Sequence, residues 1–290
     1  QTRRVDRETV SSTFHQKINR FQAAMWYNYI QLKLDDALEA AINAVALFQL
    51  SQQMIFKDPA LYLRCLYYVT AIGYLSRSTS LVERYTKRLA TFMNDDNILL
   101  NANARRIGKT YLFLAQHNLL LLQGNYPEAY ALSKTIAAEY HNGDFRPNNH
   151  RWGLLLYKQA AACFMVEAYD EGLDYLNEII NMKTGLLRED LLINSRLLHA
   201  VCNYELGNYS LVDYHLTSLS RLLRRSSKTA EVHRITVTGL RKLIKAPAGE
   251  RADIYPVFHE KVAAQATLPF EAKALSYFDA RRWLARHMKH

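Results

Sequence analysis

Apolar side chains recur every three or four residues along most of the chain, which is the spacing that places them on one face of an α-helix. The first such segment begins at about Ser11 and has its apolar positions at Phe14, Ile18, Phe21, Met25, Tyr29 and Leu32. The pattern breaks near Asp35 and Asp36 and resumes at Leu38. Two acidic residues suit the positive end of a new helix, so this region predicts a first helical hairpin.

The best-marked helix boundary is the stretch 121–129, which reads LLQGNYPEA. An apolar run ends at Gly124 and Asn125, and Pro127 and Glu128 open a new apolar-periodic segment. Glycine is favoured just past a helix end and proline just inside a helix start. The stretch therefore predicts a tight turn between two antiparallel helices.

Two later stretches, EAYDEG and GNYSLV, repeat this turn. Aligning the three on Tyr126, Tyr169 and Tyr209 gives spacings of 43 and 40 residues. The equivalent positions are Ala129, Gly172 and Val212 three residues after the tyrosine, Ile136, Ile179 and Leu219 ten residues after it, and His117, Ala160 and Ala200 nine residues before it. Small residues suit the crossing of two helices, and apolar residues on the return helix suit packing, so the pattern predicts stacked hairpins.

The turn residues Gly124, Asn125, Tyr126 and Ala129 resemble the turn pattern of the tetratricopeptide-repeat-like superfamily of helical hairpins, and 207–209 repeats it in part. The chain departs from that pattern, because the early tryptophan and the closing proline are absent and the repeat is longer than the usual ~34 residues. The resemblance implies an all-α, right-handed superhelix of stacked antiparallel hairpins, an α-solenoid. It also implies a scaffold that binds proteins or peptides on its concave face.

Continuing the pattern along the chain predicts one domain, 1–290, made of about six hairpins and a C-terminal capping helix from about Phe270 to Met288. The glycine, proline and asparagines of the loop 141–151 mark either a long connection between repeats or a weak subdivision of the domain. Pro247, Gly249 and Pro256 predict a connection with a short segment.

Composition and motifs argue against a catalytic or metal site. Glycine (10) and proline (6) are scarce, and the three cysteines lie far apart in apolar segments, so disulfides and zinc clusters are not predicted. Phosphate-binding, dinucleotide-binding, metalloprotease and hydrolase motifs are absent. His199 and His215 come closest to a metal-ligand cluster, and both are interpreted as ordinary side chains. We predict a non-enzymatic chain with no catalytic residues, cofactor or metal; a helical enzyme with a site in the concave groove is the alternative.

Acidic residues gather around the turn at Tyr169, namely Glu167, Asp170, Glu171 and Asp174. Paired carboxylates serve as general acid and base in hydrolases. These residues fall at the start of a helix, where the helix dipole stabilises negative charge without any catalytic role. They are therefore interpreted as helix-capping residues.

Positive charge is concentrated at one end of the chain. The formal net charge is +10, and residues 221–290 contain 15 Lys or Arg against 6 Asp or Glu, whereas residues 1–220 are almost balanced. Basic surfaces bind acidic proteins, anionic lipid or nucleic acid, and many are simply solvated. The predicted partner-binding residues are Arg221, Arg224, Arg225, Arg234, Arg241 and Lys242.

The predicted partner of these cations is a protein or peptide, with acidic character as the specific expectation. The alternative is a nucleic-acid-binding repeat protein that uses the basic C-terminal helices. No apolar run approaches the ~20 residues of a membrane span. A cytoplasmic chain is predicted; because it begins with Gln1, it is interpreted as trimmed, so an upstream signal or anchor stays open.

Overall fold

The computed structural model describes residues 13–143, 145–183 and 187–288, so the predictions that fall on Ser11 and Asp144 lie outside the described residues. Within those ranges the secondary structure is helical, with no strand. The helices are α1 (Phe14–Ile30), α2 (Leu34–Leu50), α3 (Gln53–Lys57), α4 (Pro59–Leu75), α5 (Thr79–Met93), α6 (Ala102–Gln123), α7 (Tyr126–His141), α8 (Asn149–Met165), α9 (Tyr169–Asn181), α10 (Glu189–Glu205), α11 (Tyr209–Arg225), α12 (Glu231–Lys245), α13 (Arg251–Gln265), α14 (Pro269–Leu275) and α15 (Ala280–His287). The all-α prediction is confirmed.

The chain forms two compact units, residues 1–115 and 116–290. In the first unit α1 packs on α2, α2 on α4, and α4 on α5. Phe48 is fully buried and packs against the Tyr62 ring at a centroid distance of 5.0 Å, and Tyr67 stacks on Tyr111 at 4.3 Å. Tyrosines thus fill the spaces between helices here, while the organisation of 1–290 as one domain stays a prediction.

In the second unit the hairpins α8–α9, α10–α11 and α12–α13 pack in succession. The residues aligned on the turn tyrosines are buried at all three positions of the repeat: Ala129, Gly172 and Val212; Ile136, Ile179 and Leu219; His117, Ala160 and Ala200. A Cβ on Gly172 would lie 3.6 Å from the carbonyl oxygen of Ala160, so the two helices of that hairpin do cross closely. The predicted repeat of stacked hairpins is confirmed.

One turn geometry recurs in the described part of the chain. Five turns have a residue in the left-handed region, with φ between 56° and 76°: Leu32, Arg77, Gly124, Glu167 and Gly207. In each, the N–H of this residue donates to the carbonyl three positions back, and the next N–H donates to the carbonyl five positions back. This is the Schellman motif, which satisfies the last carbonyls of a helix. The turn predicted at Gly124 is therefore the common joint of these hairpins, including the three in which the left-handed residue is not glycine.

The predicted start of the second helix is confirmed, because Asp35 and Asp36 occupy the first turn of α2 after a break at residues 31–33. Two other predicted boundaries were wrong. Pro256 does not interrupt the chain but lies within α13, where it removes only one backbone donor. The predicted C-terminal helix is two helices, α14 and α15, because residues 276–279 leave the helical conformation.

Helix α15 lies against three earlier turns of its own unit. The Arg282 guanidinium donates to the Tyr126 hydroxyl at 2.5 Å. The Arg286 guanidinium lies 3.7 Å from the Glu167 carboxylate. The Trp283 indole N–H and the His287 ring both form hydrogen bonds with the Glu205 carboxylate. The final helix is thus fixed by polar contacts as well as by burial of its apolar side.

Candidate partner-binding groove

The three predicted cations of α11 lie together on the surface. Arg221, Arg224 and Arg225 are all exposed, and the latter two occupy the last turn of the helix, where cations are stabilised by the helix dipole. None of the three forms an ion pair with another residue that the structure describes. A partner can therefore bind them without breaking an ion pair within the described part of the chain.

Arg241 has a different environment. Its Nη2 donates to the backbone oxygen of Leu216 at 3.2 Å and to the Ser220 hydroxyl at 2.9 Å, both on α11. These bonds fasten α12 to α11, so the guanidinium of Arg241 is already engaged. It does not share a surface with Arg234 and Lys242, which lie on the side of α12 that faces α13.

Arg234 and Lys242 line a groove between α12 and α13 with a volume of about 350 Å³. Its floor is apolar and is formed by Ile235 and Gly239 of α12 and by Ile254, Val257 and Phe258 of α13. Val257 is 53% exposed, which is high for a β-branched apolar side chain. We refer to this surface as the α12–α13 groove.

A glycine gives the groove its floor. A Cβ placed on Gly239 would lie 2.3 Å from the Phe258 ring, a distance that no side chain tolerates. The missing side chain lets the aromatic ring lie directly against the backbone of α12, where Phe258 is buried. The ring thereby closes the bottom of the groove and forms its apolar floor together with Ile235, Ile254 and Val257.

Charged side chains form the rim. They comprise three cations, Arg234, Lys242 and Lys261, and two anions, Glu231 and Asp253. The Arg234 Nη1 lies 3.3 Å from the Glu231 carboxylate, one turn away on the same helix. Both partners are about half exposed, so this pair contributes little to stability and remains free to exchange.

Asp253, Val257 and Lys261 of the α13 wall were not among the predicted binding residues. The interpretation of Pro256 as part of a connection concealed the helix that presents these residues. A signal was present, because Ile254, Val257, Phe258 and Lys261 occupy positions i, i+3, i+4 and i+7, as one helix face requires.

The other groups considered for chemistry have structural roles. Burial lowers the pKa of His199 to about 4, and its ring bonds Asn177 at 3.1 Å and Asn203 at 3.3 Å; the His215 ring is 4.4 Å away. No group of three or more histidine, cysteine or carboxylate side chains suited to a metal occurs among the residues that the structure describes.

The acidic group near Tyr169 is divided between separate partners. Glu171 accepts a hydrogen bond from Tyr130 and forms an ion pair with Lys134, and the bond from Lys134 lowers the pKa of its carboxyl. Glu167 instead faces Arg286. Asp170 and Glu171 occupy the first turn of α9, where the helix dipole stabilises negative charge as predicted, but no side chain caps the start of this helix.

The three cysteines are buried and free. Burial raises the pKa of the Cys65 thiol to about 11 and that of Cys163 to about 12, and it also raises the pKa of Cys202. These thiols stay protonated at neutral pH and pack as small apolar groups.

Together, the stacked hairpins and their shared turn define an all-α helical-repeat fold of stacked antiparallel hairpins. Among solved structures, the chain is similar to the crystal structure of the apo form of RapI, with a TM-score of 0.57 and 11% sequence identity over 96% of this chain and 77% of that one. At this identity the similarity concerns the fold. No family model matches the sequence, and no curated protein matches it. In the described residues, no helix has the length and apolar character needed to cross a membrane.

Proposed function

We propose that this chain is a non-enzymatic protein-interaction module that binds a protein or peptide partner at the α12–α13 groove. The observation that carries this proposal is an exposed apolar surface, centred on Val257, within a charged rim. Apolar surface bordered by polar side chains is typical of sites where proteins bind one another. Grooves between helices also accept the apolar side of a peptide.

The resemblance to tetratricopeptide-type repeats supports an interaction role, and we propose the groove as its site. The concave face implied by the resemblance stays a prediction, as does a cytoplasmic location. The interpretation as a non-enzyme is supported by the environment of His199 and Glu171, whose polar atoms are occupied by neighbouring side chains.

The test is selection of peptides from a random displayed library on the purified chain, followed by titration of the recovered peptides. We expect Val257→Asp to weaken their binding at least about tenfold, because a carboxylate in the floor must be desolvated when an apolar side chain covers it. The matched control is Leu211→Asp on α11, which places the same charge at a 51% exposed apolar position outside the groove. Circular dichroism verifies that both variants are folded.

Two outcomes would contradict the proposal. If no peptide is recovered, the interaction role fails for peptide partners. If peptides are recovered and the Val257 and Leu211 variants bind them equally well, the interaction role stands but the groove is not its site.

A nucleic-acid-binding role is the second candidate, and it is favoured by the exposed set Arg221, Arg224 and Arg225. The test is binding of random single-stranded RNA and duplex DNA as the salt concentration is raised from about 0.05 M to about 0.2 M, where phosphate contacts lose affinity steeply. Simultaneous reversal of the three arginines to glutamate is expected to abolish such binding. Absence of binding at the lowest salt concentration excludes this role.

A further inference from the structure

We infer that the partner of the α12–α13 groove is an acidic peptide segment, with one bulky apolar side chain in the groove and carboxylates directed to the end formed by Arg234 and Lys261. This inference rests on the proposed function and specifies its partner. It follows from the direction of the two helices, the distribution of charge along the rim and the size of the floor.

The direction of the helices decides which charges share an end. Helices α12 and α13 are joined by the short segment 246–250 and pack against each other, so they run antiparallel. Gly239 lies opposite Phe258, and later residues of α12 therefore oppose earlier residues of α13. Lys242 consequently shares one end of the groove with Asp253, and Arg234 shares the other with Lys261.

The two ends differ in net charge. At the first, the charges of Lys242 and Asp253 cancel. The second end holds two cations, Arg234 and Lys261, and one carboxylate, Glu231, so its net charge is positive by one. Lys261 forms no ion pair with any residue that the structure describes. A ligand carboxylate at this end gains an unpaired ammonium group.

The floor accepts a small amount of apolar surface. A volume of about 350 Å³ is near the lower end of the ~300–1,000 Å³ typical of ligand sites, so it suits one large side chain better than an entire helix face. The exposed Val257 offers its contact surface to that side chain. The remaining affinity has to come from the rim, which makes the charge of the flanking residues decisive.

The C-terminal part of the chain, which carries the groove, is basic as a whole. Residues 221–290 hold 15 of the 37 lysines and arginines of the chain and only 6 of its 27 acidic residues. A field of one sign accelerates the approach of an oppositely charged ligand and weakens as salt is added. An acidic segment is therefore attracted before it reaches Lys261 and Arg234.

The test uses three synthetic peptides that share a central Leu-Phe pair and differ only in flanking residues, which are glutamate, glutamine or lysine. We expect the glutamate peptide to bind about tenfold more tightly than the glutamine peptide, and the lysine peptide to bind least. Raising the salt concentration from about 0.1 M to about 1 M shortens the screening length from about 10 Å to about 3 Å and is expected to remove most of the difference.

Charge reversals locate the effect. Lys261→Glu is expected to weaken the glutamate peptide about tenfold and to leave the glutamine peptide almost unchanged, and Lys242→Glu is expected to have a smaller effect. Lys245→Glu is the matched control, since this exposed lysine is on α12 but outside the groove. The loss of peptide affinity caused by Lys245→Glu measures the effect of the general positive charge, and it is subtracted from the loss caused by Lys261→Glu.

Failure of this inference differs from failure of the proposed function. Equal binding of the glutamate and glutamine peptides, with Val257→Asp still disruptive, overturns the acidic partner and leaves the groove as a peptide site. Equal losses of affinity for Lys261→Glu and Lys245→Glu overturn the assignment of the ligand carboxylates to the end formed by Arg234 and Lys261. Tight binding of RNA that competes with the glutamate peptide assigns the surface to nucleic acid instead.

Discussion

Replacing Gly207 by alanine isolates the energetic contribution of the turn that joins the hairpins. Gly207 has φ = 76°, and a Cβ at this position would meet no atom within 4 Å. Any loss of stability must therefore come from the backbone conformation and not from a steric clash. A non-glycine residue in the left-handed region costs about 1–2 kcal/mol.

Part of that loss is offset in the unfolded chain. Alanine has fewer unfolded conformations than glycine, which stabilises the folded state by about 0.4–1 kcal/mol wherever the backbone is compatible. The expected net loss for Gly207→Ala is thus about 1 kcal/mol. Gly207→Asn is expected to lose less, because asparagine tolerates the left-handed region better than alanine does.

The matched control is Gly249→Ala. Gly249 is also exposed, its Cβ would also meet no atom within 4 Å, and its φ lies outside the left-handed region. This variant shares the unfolded-state gain without the folded-state loss, so we expect it to be neutral or slightly stabilised. The difference between the two alanine variants then gives the conformational cost directly, at about 1–2 kcal/mol.

Urea unfolding followed by far-UV circular dichroism, with the transitions of all variants compared at one pH and temperature, measures these differences. A Gly207→Ala chain that is as stable as the Gly249→Ala chain would refute the assignment of the turn as a left-handed joint. A change in the slope of the transition would indicate instead that the unfolded ensemble or the cooperativity had changed.

Three further predictions concern the second unit. Glu271 is buried, and its carboxylate accepts hydrogen bonds from the N–H groups of Glu231 and Val232 at 2.9 Å and 2.8 Å. In the same urea assay, Glu271→Ala should lower the free energy of unfolding by about 2 kcal/mol and Glu271→Gln by about half of that. Burial lowers the pKa of His117 to about 3, so the unfolded chain takes up a proton near pH 6.5 and the folded chain does not. The free energy of unfolding is therefore expected to fall by about 1.4 kcal/mol per pH unit below pH 6.5. The His117→Leu variant lacks this proton uptake and should lose less free energy of unfolding than the parent chain between pH 7.5 and pH 5. Gly239→Ala should destabilise the chain by more than Gly207→Ala and should also disrupt peptide binding, because its Cβ displaces the Phe258 ring; unchanged thermal stability would contradict the described floor.

The sequence indicated the left-handed conformation only at the turns that contain glycine, although it also predicted the position of the turn at Tyr169. Gly124 and Gly207 indicate a left-handed joint because glycine is the residue that adopts it without strain. Leu32, Arg77 and Glu167 adopt the same conformation with no local signal. Packing of the flanking helices imposes this conformation on them, and that constraint is not visible in the residues of the turn.

The candidate site was only partly predictable for a related reason. Charge counting identified the basic C-terminal region, but the side of the helix that each cation occupies depends on the register between α12 and its two neighbours. Arg241 turns towards α11, whereas Arg234 and Lys242 turn towards α13. Lys261 was not assigned because Pro256 was interpreted as part of a connection, although a single proline removes only one hydrogen bond and tertiary packing can retain the helix.

The position of α15 has a consequence for the order in which the second unit folds. In a stack of hairpins most contacts are local in sequence, so each hairpin can form on its neighbour and the stack can grow from any point. The bond between Arg282 and Tyr126 instead joins residues 156 positions apart, and the contact of Arg286 with Met165 spans 121 positions. Contacts of such separation form slowly, because a long loop must close before they contribute. The hairpins are therefore expected to assemble quickly, and the docking of α15 is expected to be a later and separately measurable step.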